Sequence, residues 1–321
     1  MSFFKCTCSI LAAVAVFSVA PAKADLIKLT IPTLPAPSLG AFMGPVIKAQ
    51  KFDEQNGLDL TFQQKPTATY RTDFAAGTDQ LGGSGTLLAD VALLRDKGLK
   101  VTYLFNVFDF WATVVVPQDS GIKAITDLKG KTLTASLPTA NFPMFRYLAT
   151  LGGLDMSSVQ LRNADSSALV PTAKSKRSDA VQLWEPAYTI LVHGNHDFRS
   201  IDVMSQWTDK TKENAFPYLG ISAQQAWVDQ NKAIIPKLFA TYQKASEFIK
   251  SHPQEAAILI AKSLNVGAPV IQDLLSSDRL RLNLYWAADN KGAADAVFKA
   301  AISEGYLKAV PTDGILYDPR K

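Results

Sequence analysis

The sequence predicts an α/β fold of two lobes, each a central sheet flanked by helices, with a ligand cleft between the lobes. Three observations predict it. Strand and helix patterns alternate along residues 26–105, which is typical of strands covered by helices. A second alternation follows the apolar, β-branched run at residues 111–116. Helical patterns dominate from Ala226 onwards and form a helical tail.

The composition is that of a globular protein. Of 321 residues, 47% are hydrophobic and 19% are charged, which excludes a disordered or collagen-like chain. The formal net charge of +4 comes from scattered Lys and Arg residues, so we expect no nucleic-acid partner. The chain has 2 cysteines, Cys6 and Cys8, and these cannot form a disulfide framework.

The first 24 residues have the pattern of a secretory signal peptide. Lys5 precedes the apolar run at residues 9–20, and Ala22-Lys23-Ala24 has the small-x-small form that signal peptidase recognises. The run is short for a transmembrane helix, and both cysteines precede or begin it, which argues against a lipid anchor. We therefore expect cleavage after Ala24 and a periplasmic mature chain.

In the first α/β unit, strands are recognised by alternation of apolar residues and helices by apolar residues three and four positions apart. Their order implies parallel pairing of the strands. Strands are expected at residues 26–31, 58–63 and 99–105, and helices at residues 41–52, 71–76 and 86–97.

The second unit opens on residues 111–116, a continuous apolar run typical of a strand buried on both faces. The turn at residues 127–131 leads into a further strand, and Trp184-Glu185-Pro186 opens a helix. Further strands are expected at residues 132–135, 159–162, 180–183, 198–203 and 218–223, helices at 144–151 and 167–174, and a polar linker at 208–214. The tail is expected to hold helices at residues 232–250, 253–263, 269–275 and 290–304.

Three loops at the carboxyl ends of predicted strands are the candidate ligand site: residues 32–40, 82–86 and 136–143. Open α/β sheets bind ligands at these ends, and backbone N–H groups at helix N-termini favour anions. The structural alternative is that Gly and Pro shape the connections and that Ser and Thr cap helices. The loops also contain hydroxyl groups that could bind a ligand, those of Ser84, Thr86, Ser136 and Thr139.

Aromatic and acidic residues beside these loops are further candidates. Phe142 and Trp184 lie at irregular positions and suit the walls of an organic-ligand site, whereas aromatics such as Phe110 more commonly fill cores. The charged candidates are Asp109 and Glu185. A carboxylate at a helix start also stabilises the helix dipole, so a capping role for Glu185 stays open.

The sequence lacks the usual catalytic motifs. Residues 82–86, Gly-Gly-Ser-Gly-Thr, match neither the nucleophile elbow nor the P-loop nor the dinucleotide fingerprint. His193 and His196 have no evident third metal ligand, so a solvated loop is the preferred interpretation. With 3 histidines and no cysteine after residue 24, we expect a binding protein without cofactor or metal, although carboxylate chemistry stays open.

Several short sequence segments resemble those of a known family. Residues 51–60 read Lys-Phe-Asp-Glu-Gln-Asn-Gly-Leu-Asp-Leu, and residues 125–131 read Ile-Thr-Asp-Leu-Lys-Gly-Lys. Ser-Asp-Ala-Val at 178–181 and Trp-Glu-Pro-Ala at 184–187 follow. With the Gly-Ser-Gly-Thr segment, these resemble the solute-binding proteins of ABC importers for nitrate, sulfonates, taurine and thiamine precursors. The resemblance covers essentially the whole mature chain.

The resemblance implies the two-lobe, type II periplasmic binding protein fold. Lobe one would be residues 25–110 and 221–321, lobe two residues 111–220, and the crossings would lie near 111–116 and 216–221. The ligand-binding positions that it implies are Pro37, Ser38, Leu39, Ser84, Gly85, Thr86, Ser136, Thr139 and Asn141, with Trp184 and Glu185 opposite. Asp109, Phe110 and Phe142 complete the candidate set.

We expect the chain to be a monomeric substrate-binding component that captures a small organic anion, a sulfonate or carboxylate with an apolar or aromatic portion, and delivers it to an inner-membrane permease. A thiamine-precursor-like pyrimidine, suited by stacking and by Glu185, is the alternative ligand. Fungal thiamine-precursor enzymes share the fold but use a Cys-rich motif that is absent here. Two functions of other classes also stay open: a carboxylate-dependent hydrolase, and a sensor that delivers its ligand to a membrane receptor.

Overall fold

A computed structural model describes residues 25–35, 37–311 and 314–321 of the chain. The predicted signal peptide, residues 1–24, lies outside the described residues. Within the described part, no helix combines the length and the apolar character needed to cross a membrane.

The described residues form strands in three sheets. The strands are β1 (Ile27–Thr33), β2 (Leu58–Gln64), β3 (Leu81–Leu87), β4 (Val101–Asp109), β5 (Ala112–Pro117), β6 (Thr132–Ala135), β7 (Gln160–Asn163), β8 (Ala180–Trp184), β9 (Phe198–Asp202), β10 (Pro217–Gln224) and β11 (Leu282–Trp286). The helices are α1 (Met43–Gln50), α2 (Phe52–Gln55), α3 (Thr67–Ala75), α4 (Leu88–Asp96), α5 (Asn141–Leu151), α6 (Leu169–Lys174), α7 (Ala187–Val192), α8 (Ser205–Thr211), α9 (Gln225–Gln230), α10 (Ile235–Ser251), α11 (Pro253–Leu264), α12 (Ala268–Leu275) and α13 (Lys291–Ser303).

The first lobe is built on a four-stranded sheet of order β11-β4-β10-β3, beside which the parallel pair β1-β2 packs against β3. Strand β10 is antiparallel to both β3 and β4, and β11 is antiparallel to β4. Every residue of β4 is buried, because helices such as α4 and α10 cover the sheet. The expected parallel pairing is thus confirmed for β1 and β2 but is wrong for β4, since β10 enters the sheet centre from a distant part of the chain.

The second lobe is built on a five-stranded mixed sheet of order β7-β6-β8-β5-β9. Strand β6 is parallel to β7 and β8, whereas β5 is antiparallel to β8 and β9. Apolar residues of α6 and α7 cover one face of this sheet, and the buried residues of α5 belong to the main core on the other. The predicted α/β class and the two-lobe fold are thus confirmed.

The chain passes from the first sheet to the second between β4 and β5, and returns between β9 and β10. The return includes α8 where a polar linker was expected, and β11 lies in a tail that was expected to be helical. The lobe limits of 25–110, 111–220 and 221–321 stay predictions.

Residues 82–86 are not a loop, contrary to the sequence interpretation, but the middle of β3. Gly83 in this strand serves packing. A Cβ atom on Gly83 would lie 2.1 Å from Ile31 Cγ2 and 2.8 Å from the carbonyl oxygen of Pro32. Only glycine lets β1 approach β3 this closely. The pairing of β10 with β3 shifts register between Gly220 and Ile221, so the glycine-rich strand is also irregular.

We predict that Gly83→Ala lowers the free energy of unfolding by about 2 kcal/mol, because the methyl group forces β1 away from β3. Urea denaturation measures the change. Gly121→Ala is the matched control, since a Cβ atom at Gly121 meets no other atom within 4 Å. Equal stability of both variants and the unsubstituted protein would contradict the packing role of Gly83.

Candidate functional site

The two lobes meet along a contact region that we call the interlobe seam. It comprises the packing of α13 against α4 and α5 and the packing of α7 against α12. Helix α4 of the first lobe and helix α5 of the second lobe both begin there, and α13 packs against both helices. A cavity of about 10 Å³ lies between them. Its walls are almost entirely apolar: Leu87, Leu88, Ala89, Ala140, Met144, Phe216, Pro217, Tyr218 and Val297.

The helix starts give the seam its electrostatic character. The residues that precede α4 and α5, Leu87 and Ala140, provide no side-chain cap for the helices they begin. The first backbone N–H groups of a helix carry a partial positive charge, which favours an anion placed at the helix start. Residues at both helix starts, Leu88 of α4 and Ala140 before α5 among them, line the same small apolar cavity.

Tyr218 joins the two lobes inside the seam. Its backbone N–H group donates to Asn106 Oδ1 in β4, at 3.0 Å, and its hydroxyl group donates to Asn141 Oδ1 in the first turn of α5. Burial raises the pKa of Tyr218, so the hydroxyl group keeps its proton and remains a donor. The sequence did not single out Tyr218, and its only signal was a hydroxyl group in an apolar extended segment.

A partly exposed ion pair lies beside the start of α4. Asp90, in the first turn of this helix, accepts a hydrogen bond from the Tyr306 hydroxyl group, and its other oxygen lies 3.5 Å from Nη2 of Arg71. Burial raises the pKa of Asp90, against the opposing effect of Arg71. The Arg71 side chain is 42% exposed and has this one long contact to Asp90 as its ion pair. Its positive charge lies close enough to act on both Asp90 and Tyr218.

Asp109 was expected to face a ligand, but it is fully engaged at the end of β4. Its carboxylate accepts hydrogen bonds from Asn106 Nδ2 at 3.0 Å, Asn283 Nδ2 at 2.9 Å and the Tyr285 hydroxyl group at 2.5 Å. Burial raises the pKa of Asp109, while these donors oppose the shift. Phe110 is buried next to it, with its ring 4.9 Å from that of Phe216.

Glu185 is also engaged. Its carboxylate accepts hydrogen bonds from the backbone N–H group of Thr189 at 3.1 Å, from the Thr189 hydroxyl group at 2.9 Å and from Arg279 Nε at 2.8 Å. The first two bonds are those expected of the capping role that the sequence left open. Burial raises the pKa of Glu185, and Arg279 lowers it in opposition. No sequence pattern near Arg279 pointed to this pairing.

The loop before α5 is held by its own hydrogen bonds. The Ser136 carbonyl oxygen accepts a bond from the Thr139 hydroxyl group at 2.8 Å, and the Ser136 hydroxyl group lies 3.3 Å from that of Ser166. Phe142 is buried under the Arg146 guanidinium group, 5.9 Å from its ring centre. Among the candidate residues of the 136–143 loop, Asn141 contacts the first lobe, through its hydrogen bond from the Tyr218 hydroxyl group.

The remaining candidates are spread along the lobes. Ser38 caps the short 3₁₀ turn Leu39–Ala41 through a bond from Gly40 N at 3.2 Å, Pro37 is exposed, and Leu39 is buried in the core. Trp184 is half-buried and packs against the smaller core under α6 and α7. The side chains of Ser84, Gly85 and Thr86 lie outside the described part of the structure.

A larger groove, of about 470 Å³, lies wholly on the first lobe. It runs between α1 and β2, with Gly44, Lys48 and Phe62 among its lining residues. Lys48 is already paired, at 2.6 Å from Asp53 and 3.2 Å from Asp59. The groove touches no element of the second lobe, so lobe closure does not complete it.

The histidine pair that the sequence weighed as a metal site is not assembled as one. His193 Nδ1 lies 3.4 Å from a carboxylate oxygen of Asp273 in α12. Within residues 25–35, 37–311 and 314–321, no group of three or more His, Cys, Asp or Glu side chains is arranged to hold a metal ion.

Comparison with known proteins adds a family and a fold. The model of the family described as NMT1/THI5 like matches residues 46–256. A protein of Escherichia coli (strain K12), provisionally assigned as an aliphatic sulfonates-binding protein, is 26% identical over 166 residues, 50% of this chain and 48% of the relative. The match thus spans about half the length of that curated relative.

Two solved structures share the fold. The periplasmic aliphatic sulphonate binding protein SsuA from Escherichia coli matches with a TM-score of 0.72 and 17% identity, covering 92% of each chain. The desulfurization enzyme DSZB matches with a TM-score of 0.61 and 15% identity, covering 89% of this chain and 94% of that one. The resemblance to the solute-binding proteins of ABC importers is thus confirmed, although the fold also serves an enzyme.

We predict that Asp109 is structural. Asp109→Ala removes the acceptor of the buried Asn106 amide group and of the less buried Asn283 and Tyr285 donors, so the free energy of unfolding should fall by about 2 kcal/mol in urea denaturation. Asp59→Ala, at a 41% exposed carboxylate, is the control and should cost less than about 1 kcal/mol. An Asp109→Ala protein of undiminished stability that binds ligand more weakly would instead restore the ligand-binding role.

Proposed function

Since the chain belongs to the NMT1/THI5-like family, we propose that it is the exported substrate-binding component of an ABC import system. It captures a small organic anion, most specifically a sulfonate, in the interlobe seam. It then presents the closed, loaded form to a permease in the inner membrane. In this proposal the protein acts in the periplasm as a monomer and carries out no chemical reaction on its ligand.

The observation that carries the proposal is the convergence of two uncapped helix starts, α4 and α5, on one apolar cavity. Backbone N–H groups and helix dipoles from both lobes suit a compact anionic head. The apolar walls around them, including Leu88, Met144 and Val297, suit an aliphatic or aromatic body. A ligand with both parts matches the seam better than an inorganic anion does.

The size of the cavity implies movement. About 10 Å³ holds no more than about one water molecule, so a sulfonate enters only when the lobes separate. An anion that touches both helix starts makes its full set of contacts only after the lobes come together again. Binding then shifts the population toward the closed form, which is the form that a permease can distinguish.

Sulfonate is favoured over carboxylate for two reasons. Its three oxygen atoms can accept hydrogen bonds from both lobes, which approach from different directions. The curated relative is also named for aliphatic sulfonates.

The alternative ligand, a thiamine-precursor-like pyrimidine, requires a free Glu185 carboxylate. Thr189 and Arg279 already occupy it, so a pyrimidine must displace them. A carboxylate-dependent hydrolase likewise needs a free carboxylate at the cavity, whereas Asp109 and Glu185 are both hydrogen-bonded to protein groups. Binding without reaction therefore fits the described side chains better.

We expect a sulfonate to raise the melting temperature. At a hundred times its Kd a ligand stabilises a protein by about 2.7 kcal/mol, which corresponds to about 4 °C for a chain of this size. The panel contains ethanesulfonate, butanesulfonate, benzenesulfonate, butyrate, nitrate and a pyrimidine, with neutral butanesulfonamide as the matched control. A shift with the pyrimidine alone, or with no member of the panel, would overturn the sulfonate assignment.

Arg71 is expected to supply the full positive charge that the helix starts lack. Because its one long ion pair leaves it free to turn toward an anion beside Asp90, Arg71→Ala should weaken binding of the strongest sulfonate about tenfold in isothermal titration calorimetry. Arg320→Ala, which removes a 64% exposed guanidinium group near the C-terminus, is the control. Equal affinities of the two variants would rule out a role for Arg71.

A further inference from the structure

We propose that Glu185, Thr189 and Arg279 form an interlobe clasp that sets how readily the seam opens, without touching the ligand. The effect of the clasp on ligand capture rests on the proposed function. Its effect on the opening of the lobes does not, because the contacts are present in the protein alone.

The clasp joins the two lobes directly. Glu185 follows β8 of the five-stranded sheet, whereas Arg279 lies between α12 and β11, on the side of the four-stranded sheet. Arg279 Nε donates to Glu185 Oε1 at 2.8 Å, and its Nη2 donates to the Thr189 hydroxyl oxygen at 3.2 Å. The guanidinium carbon also lies 5.3 Å from the centre of the Tyr188 ring. Arg279 is thus held by three neighbouring groups of the second lobe.

Burial makes this contact depend on closure. The Glu185 side chain is 1% exposed and that of Arg279 is 27% exposed. A buried carboxylate is tolerated only with a partner, so Glu185 keeps Arg279 close while the lobes are together. When the lobes part, water can solvate both groups and replace the ion pair. The clasp therefore stabilises the closed arrangement relative to the open one, with or without ligand.

The clasp is separate from the cavity. None of its three residues is among those that line the cavity at the starts of α4 and α5. It lies where α7 packs against α12, whereas the cavity lies where α4 and α5 approach α13. Glu185 and Arg279 are thus positioning residues: they act on the ligand only through the position of the lobes.

The clasp also explains why the carboxylate expected to bind ligand is occupied. Arg279 fills the hydrogen-bonding positions that a ligand amine or hydroxyl group would otherwise take on Glu185. A cationic group from the protein itself thus replaces a ligand group. The clasp then contributes to affinity indirectly. A ligand that binds the closed form binds more tightly when a larger fraction of the protein is already closed.

Small-angle X-ray scattering of the ligand-free protein tests the clasp. Arg279→Gln removes the charge, so we expect the radius of gyration to increase as the lobes separate. Arg279→Lys keeps the charge and should restore most of the compactness. Lys291→Ala removes an ion pair within α13 alone and should leave the radius unchanged. Thr189→Val keeps the ion pair but loses the two hydrogen bonds of the Thr189 hydroxyl group, so it should give a smaller increase in the radius of gyration. Far-ultraviolet circular dichroism shows whether each variant is folded.

An unchanged radius of gyration in folded Arg279→Gln protein overturns the clasp, whatever the protein binds. An increased radius supports it even if no sulfonate binds, in which case the ligand assignment alone fails. With butanesulfonate as the probe, opening of the seam should raise the dissociation rate about tenfold without lowering the association rate. A lower association rate in folded Arg279→Gln protein would instead identify Arg279 as a group that meets the ligand, and would overturn the clasp.

Discussion

The carboxylate of Asp109 fixes the point at which the chain leaves the first sheet. It holds Asn106, whose amide oxygen in turn accepts hydrogen bonds from the Tyr103 hydroxyl group and from the backbone of Tyr218. Tyr218 continues the network to Asn141 at the start of α5. Because each member is buried and each bond needs its neighbour in place, the network fixes the approach of the second lobe to the first.

This constraint determines what the seam can recognise. It places the start of α5 opposite the start of α4, and the walls between them are apolar. In the proposed function, backbone N–H groups and the Arg71 guanidinium group recognise the anion. The carboxylates of Asp109 and Glu185 instead accept hydrogen bonds from protein groups. In our proposals the two regions therefore have different roles: the cavity at α4 and α5 binds the ligand, and the contact between Glu185 and Arg279 resists opening of the lobes.

The sequence predicts the architecture well because alternation of apolar residues reports directly on burial. The two lobes, most strands and the long C-terminal helices follow from it. It fails at residues 82–86, where glycines that permit a close strand contact look the same as glycines that form a loop. It also cannot find the contacts across the seam, since Asn141 and Tyr218 are 77 residues apart and Glu185 and Arg279 are 94 apart. Such pairs leave no local pattern.

The central claim is that an organic anion binds in the interlobe seam with its charged head at two helix starts. A crystal structure with 2-bromoethanesulfonate tests it most directly, because anomalous scattering locates the bromine without ambiguity. We expect one peak between Leu88 of α4 and Met144 of α5, with the sulfonate group at the starts of both helices. A peak confined to the groove of the first lobe, beside Gly44 and Lys48, would contradict the claim.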